Sequence, residues 1–148
     1  MEIVTSRFGT ISVDDERIIT FTKGLLGFPG RNSFALVQTS DENYFFWLQS
    51  TEDANLAFVV TDPSTFFKDY EVPIREETQL DLDLTDPAAA QVFVICNKLG
   101  DWLTGNLLGP IVVNVANHLA TQVVLTDKKW TTRQPLLKLQ TEMLAKSA

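Results

Sequence analysis

Val92-Phe93-Val94-Ile95-Cys96 decides how this chain folds, together with its counterpart Leu56-Ala57-Phe58-Val59-Val60. Each is an unbroken apolar run rich in β-branched and aromatic residues, which suits a strand. A strand with one wet face alternates apolar and polar side chains; one that is apolar at every position is covered on both faces. A closed or strongly curled sheet supplies that cover. Outward from these runs the same punctuation recurs about every ten residues, with Gly, Pro, Asp and Asn between apolar stretches. The spacing predicts strands at Ile3–Ser6, Arg17–Phe21, Phe34–Thr39, Tyr44–Ser50, Leu56–Thr61, Val92–Asn97, Ile111–Val115 and Thr121–Thr126, a meander or barrel. Gly24-Leu25-Leu26-Gly27-Phe28-Pro29-Gly30 holds three glycines and a proline and cannot be helical.

Helical signals are fewer. Asp62-Pro63 and Asp86-Pro87 read as capped single turns, because Asp accepts free first-turn N–H groups and Pro is tolerated at the first helical position. Pro73–Leu80 is a candidate short helix. Over Pro135–Ala148, residues Leu136, Leu137, Leu139, Met143 and Leu144 give a loose apolar stripe at helical spacing, which predicts a C-terminal amphipathic helix. The expected fold is therefore mainly β: an antiparallel, barrel-like single domain over residues 1–126 with short helical turns, followed by a helical tail at 127–148.

Composition narrows the function. A chain of 148 residues, 45% hydrophobic with ten Phe and three Trp, is enough for one packed core. No apolar stretch approaches the roughly 20 residues that cross a bilayer. Glu2 stands where an export signal carries basic residues, so a cytoplasmic protein without a membrane partner is expected. The formal charge of −7 repels nucleic acid phosphates and disfavours direct RNA or DNA binding. Residues 127–148 hold five basic and two acidic side chains and so carry +3, leaving −10 on residues 1–126.

Catalytic signatures are weak. The glycines at 24, 27 and 30 lack the Lys-Ser or Lys-Thr of a phosphate loop, and no Ser lies in a Gly-x-Ser-x-Gly elbow. Cys96 lies inside an apolar strand, where a thiol is a small hydrophobe and a poor nucleophile. With His118 alone as a nitrogen partner it makes no zinc site. His118 falls in a predicted turn, and acids adjacent in sequence, such as Glu76-Glu77, point apart instead of sharing one site. No catalytic residue, metal or cofactor is expected.

Surface character is more informative. Residues 69–86 carry Asp69, Glu71, Glu76, Glu77, Asp81, Asp83 and Asp86 against Arg75 alone, with Leu80, Leu82 and Leu84 alternating among the last acids. The pattern fits a docking surface for a basic partner, or equally a solvated crossover loop whose leucines point inward. Trp102, in Asp101–Pro110, fits an interface anchor or a plug over a barrel end.

The ordered series Thr5-Ser6-Arg7-Phe8-Gly9-Thr10-Ile11, Ile18–Phe28, Phe45-Phe46-Trp47-Leu48-Gln49-Ser50, Leu56–Val60, Asp62-Pro63 with Phe66-Phe67 and Asp69-Tyr70, and Thr104–Asn114 resembles the FliW flagellar assembly factor family. The resemblance implies a cytoplasmic, barrel-like, non-enzymatic bacterial protein that binds flagellin and the RNA-binding translational repressor CsrA. Release from exported flagellin would free it to capture CsrA and relieve repression. It further implies an acidic surface for CsrA at Asp69, Glu71, Glu76, Glu77, Asp81 and Asp83. For the amphipathic ends of flagellin it implies an apolar groove at Phe66, Phe67, Tyr70 and Trp102. A monomer is expected. The alternatives are an export chaperone for flagellin with no regulatory partner, and a small enzyme using Cys96. The chain departs from the family's pattern at Thr22 and Leu26, where Pro is usual, and at Gly105 and Gly109, where Ala is usual. It also lacks the basic turn near 117–120. Loss of the prolines is expected to loosen their turns, and the glycines to make the 104–110 loop more permissive.

Overall fold

The computed structural model describes residues 1–38 and 44–139. Strands β1 (Glu2–Thr5) and β2 (Gly9–Ser12) form a hairpin of their own. The other strands belong to one sheet: β3 (Ile18–Phe21), β4 (Ser33–Val37), β5 (Phe46–Ser50), β6 (Ala57–Thr61), β7 (Ala90–Leu99), β8 (Trp102–Gly105), β9 (Ile111–Asn114), β10 (Leu119–Gln122) and β11 (Gln134–Lys138). From β3 to β7 each strand pairs antiparallel with the next. β10 returns parallel to β3, and β9 pairs with both β10 and β7, which closes a seven-strand barrel. The long β7 serves two partners on one edge: Ala90–Phe93 pair with β9, and Cys96–Leu99 pair with β8. β8 and β11 thus extend from the barrel as a flap.

The consecutive apolar runs follow from this closure. Inside the barrel, Phe21, Phe34, Leu48, Val60, Phe93 and Ile111 meet, with the rings of Phe21 and Phe34 edge to face at 5.4 Å. Their neighbours point outward, and each finds a cover. Val94 lies under Tyr70, Leu107 and Trp130. Val112 lies under Leu82 and Leu84, and Ala35 lies under Ile3 and Val13 of the β1–β2 hairpin. No strand keeps a fully wet outer face at these positions, so alternation is lost.

The Asp-Pro turns form as expected: Asp62 accepts from the Ser64 N–H at 2.9 Å and Asp86 from the Ala88 N–H at 3.0 Å. Helix α1 (Glu76–Asp81) takes the place predicted for Pro73–Leu80. The C-terminal helix is corrected. Residues 134–138 are β11, with Gln134 opposite Gly105, Lys138 opposite Trp102 and a bulge after Pro135. The rest of that prediction, residues 140–148, lies outside the described residues, as does Thr39.

The family departures have local explanations. Thr22 and Leu26 each use the N–H that proline lacks, donating to the Ala120 carbonyl at 3.1 Å and to Gln122 Oε1 at 3.3 Å. At both glycines of the 104–110 stretch a side chain would have little room. Gly105 lies in β8, where a Cβ would come within 3.2 Å of Leu136, and at Gly109 a Cβ would come within 2.7 Å of the Asn106 amide. Both admit close packing. Among the described residues, no helix is long and apolar enough to cross a membrane.

Candidate protein-binding surfaces

The acidic segment is a strap across the barrel wall. Its underside carries Thr78, Leu82 and Leu84, all buried, while Leu80 is 75% exposed. Asn114, 3% exposed on β9, donates from Nδ2 to the Leu82 carbonyl at 3.0 Å and to the Asp83 carbonyl at 3.3 Å. Asn117 adds a third bond, to the Leu82 carbonyl at 2.9 Å. These bonds hold Asp83 at φ 50°, a left-handed conformation that Asp tolerates better than bulky residues. Glu76 and Glu77 occupy the first turn of α1, where a carboxylate faces unsatisfied backbone N–H groups.

Not all of this charge is available. Lys23 bridges Glu77 at 3.3 Å and Asp81 at 2.8 Å, one turn apart on α1. Hydrogen bonds to Asp81 and then Glu77 hold its ammonium above the ordinary lysine range. Asp69 is ion-paired with Lys129, whose hydrogen bond holds that carboxyl below the usual aspartate range. Glu71, Glu76 and Asp83 are exposed and have no ion pair among the described residues. The composition of the segment could not distinguish these two sets, because the cations lie 50 or more residues away in the chain.

The four apolar residues proposed for a groove do not share one surface. Phe67 and Tyr70 pack on Trp130, with ring centroids at 5.2 and 5.4 Å, over Val94 and Leu107. The Tyr70 hydroxyl donates to the Leu107 carbonyl at 2.6 Å. Phe66 lies against Phe45 at 6.0 Å. Trp102, 44% exposed, lies outside that cluster at the start of β8, opposite Leu99 and Lys138. Residues 127–139 are part of the body: they supply Trp130 to the core, Lys129 to Asp69 and β11 to the sheet.

Among the described residues no group of three or more His, Cys, Asp or Glu is placed to hold a metal. Cys96 is 5% exposed, its Sγ 3.7 Å from the Val94 carbonyl oxygen, and burial pushes its thiol up to about 12. His118, at φ 63°, forms the turn between β9 and β10. Burial likewise pushes Tyr70 up to about 12, from 10.0 for an exposed phenol and against 9.0 for an exposed thiol. Between about pH 9 and 12 the folded chain therefore keeps protons that the unfolded chain has lost, and stability falls as pH rises through that window. Urea titrations at successive pH values are expected to show a loss on the order of a few kcal/mol from pH 8 to 11. Tyr70→Phe should remove part of the slope, and a flat profile would contradict the buried ionisable pair.

Comparison with known proteins agrees with this architecture. The family model described as FliW protein matches residues 2–136. A flagellar assembly factor FliW of Treponema denticola is 39% identical over 139 residues, covering 93% of this chain and 94% of that protein. The FliW of Bacillus subtilis is 38% identical, covering 92% and 96%. A crystal structure of the flagellar assembly factor FliW superposes with a TM-score of 0.83 at 33% identity, covering 93% of this chain and 97% of that one.

Proposed function

The chain belongs to the FliW family, and from that membership we propose that it serves bacterial flagellar assembly in the cytoplasm as a binding protein, engaging flagellin and the translational repressor CsrA in turn. The relatives are named as assembly factors and not as enzymes, and they match this chain nearly end to end. The observation that carries the CsrA half of the reading is the pinned acidic strap with Glu71, Glu76 and Asp83 exposed and unpaired. A protein that holds RNA presents a basic surface, so an acidic antagonist is steered toward it by charge, while its own −7 keeps it off the RNA. Binding, release of flagellin to export and capture of the repressor then couple flagellin synthesis to its consumption.

The test is charge reversal at the unpaired positions. Glu71→Lys with Glu76→Lys is expected to slow association with purified CsrA by about tenfold at low salt and to flatten the salt dependence, with the circular dichroism spectrum unchanged. An unaltered on-rate would remove the strap as the CsrA surface. If the wild-type protein binds flagellin and never CsrA, the export-chaperone reading replaces the regulatory one.

A further inference from the structure

β10 and the residues that continue it have an edge that the barrel does not close. Pairing with β3 ends where the Thr22 N–H donates to the Ala120 carbonyl at 3.1 Å, and Gly24, at φ 73°, then turns the chain into the 24–30 loop. Beyond Ala120 the ladder continues on the other side alone: the Val123 and Leu125 N–H groups donate to the Pro110 and Leu108 carbonyls at 2.9 and 2.8 Å. The backbone groups that alternate with them point the opposite way. There the Gln122 carbonyl and both the N–H and the carbonyl of Val124 have no partner among the described residues. The Leu26 N–H reaches only the Gln122 side chain, at 3.3 Å, so the loop stands beside this edge without pairing with it. The edge is also unprotected. Open strands are commonly blunted by proline, lysine or a bulge. β11, at one end of the sheet, has all three in Pro135, Lys138 and the bulge after Pro135. Gln122–Leu125 has neither charge nor proline, and Val124 is 70% exposed.

Two hollows flank this edge. One, of about 490 Å³, is lined by Val124, Leu26, Phe28 and Leu108. The other, of about 210 Å³, lies between β10 and the strap and is lined by Thr121, Thr78, Arg75 and Pro73. Thr78 and Thr121 are 8% and 6% exposed, and neither hydroxyl has a hydrogen-bond partner among the described residues. An added strand sends successive side chains to opposite faces, so it can enter both hollows while its backbone pairs with Gln122 and Val124. A helix spends its backbone groups on itself and would leave those three bare. The charges lining the second hollow balance, Lys23 and Arg75 against Glu77 and Asp81, so the sign of the occupant comes from the strap beside it, where Glu71, Glu76 and Asp83 are unpaired. We propose that the open edge from Gln122 to Val124 is the site at which an extended segment of the basic partner drawn to the strap adds as a strand, with alternate side chains in the cleft at Leu26 and Phe28 and beneath the strap. The assignment rests on the reading of the strap as the CsrA surface and extends that surface across β10.

Amide hydrogen exchange of the wild-type protein, read by NMR with and without saturating purified CsrA, is expected to slow by about tenfold or more at Val124 on binding. Val124→Pro removes that N–H and leaves the ladder bonds of Val123 and Leu125, a position on an open edge where proline is tolerated. It should raise the CsrA dissociation rate by about tenfold, whereas Val124→Thr, which keeps the N–H, should stay within about threefold. Charge reversal on the strap acts on the association rate instead, so the two surfaces report separately. If the circular dichroism spectrum of Val124→Pro shows a lost fold, the exchange result on the wild-type protein decides. CsrA bound while the Val124 amide exchanges as in the free chain overturns the edge and leaves the strap standing; no CsrA binding at all overturns both. Protection by monomeric flagellin and not by CsrA, or protection that grows with the concentration of the chain alone, makes flagellin or a second copy the occupant and overturns the proposal.

Discussion

Trp130→Ala is expected to lower the free energy of unfolding by about 3–5 kcal/mol, measured by urea denaturation followed by circular dichroism. Trp130 is 7% exposed and touches Phe67, Tyr70, Val94 and Leu107, so its removal leaves a cavity between the barrel wall and the chain that covers it. The loss spreads beyond the indole. Tyr70 stands edge-on to that ring, and its hydroxyl bond to Leu107 needs the same packing. Lys129, 5.1 Å from the ring centroid, also pairs with Asp69. Trp130→Phe should recover more than half of the stability, because most of the apolar contact returns. A loss below about 1 kcal/mol for the alanine variant would mean that residues 127–139 are an appendage and not part of the core.

The second large effect separates two leucines two residues apart. Leu82→Ala is expected to cost about 2–5 kcal/mol, and Leu80→Ala no more than about 0.5 kcal/mol. Leu82 has no exposed surface and packs with Leu84 over Val112, whereas Leu80 is 75% exposed on α1. Because Asn114 and Asn117 both hold the Leu82 carbonyl, loss of the side chain also loosens the strap that presents Glu76 and Asp83. Equal costs at the two positions would mean that the strap is not seated as described. The measurement is the same urea titration, with hydrogen exchange across residues 76–84 reporting the local loosening.

The barrel was legible because its causes are local or periodic. Val92–Cys96 is apolar at every position, and in the structure Phe93 faces the barrel interior while Val94 faces a second core. Asp62 and Asp86 cap their own turns within two residues, so their motifs needed no distant partner. β11 was not legible. Leu136, Leu137 and Leu139 are too few to separate helical from strand spacing, and the free edge of β8 decided the matter by supplying partners. Gly105 completes that choice, since Leu136 lies where a Cβ would intrude. β8 itself, four residues with Trp102 at its start, was hidden among turn formers for the same reason.

The candidate surfaces divide along the same line. The acidity of residues 69–86, the inward leucines as one of two readings and the burial of Cys96 were accessible from residue type and order, because charge and hydropathy belong to each side chain wherever it lies. Which carboxylates stay unpaired depended on Lys23 and Lys129 arriving from elsewhere in the chain. That Phe67 and Tyr70 fill a core while Leu26, Phe28 and Val124 rim a cleft depended on which outer faces of the barrel the chain happened to cover. A closed β-structure with an acidic body follows from periodicity and composition alone, since both act over a few residues. Which charges and which apolar side chains remain for a partner is set by the folded arrangement, because pairing and burial come from contacts between segments far apart in the chain.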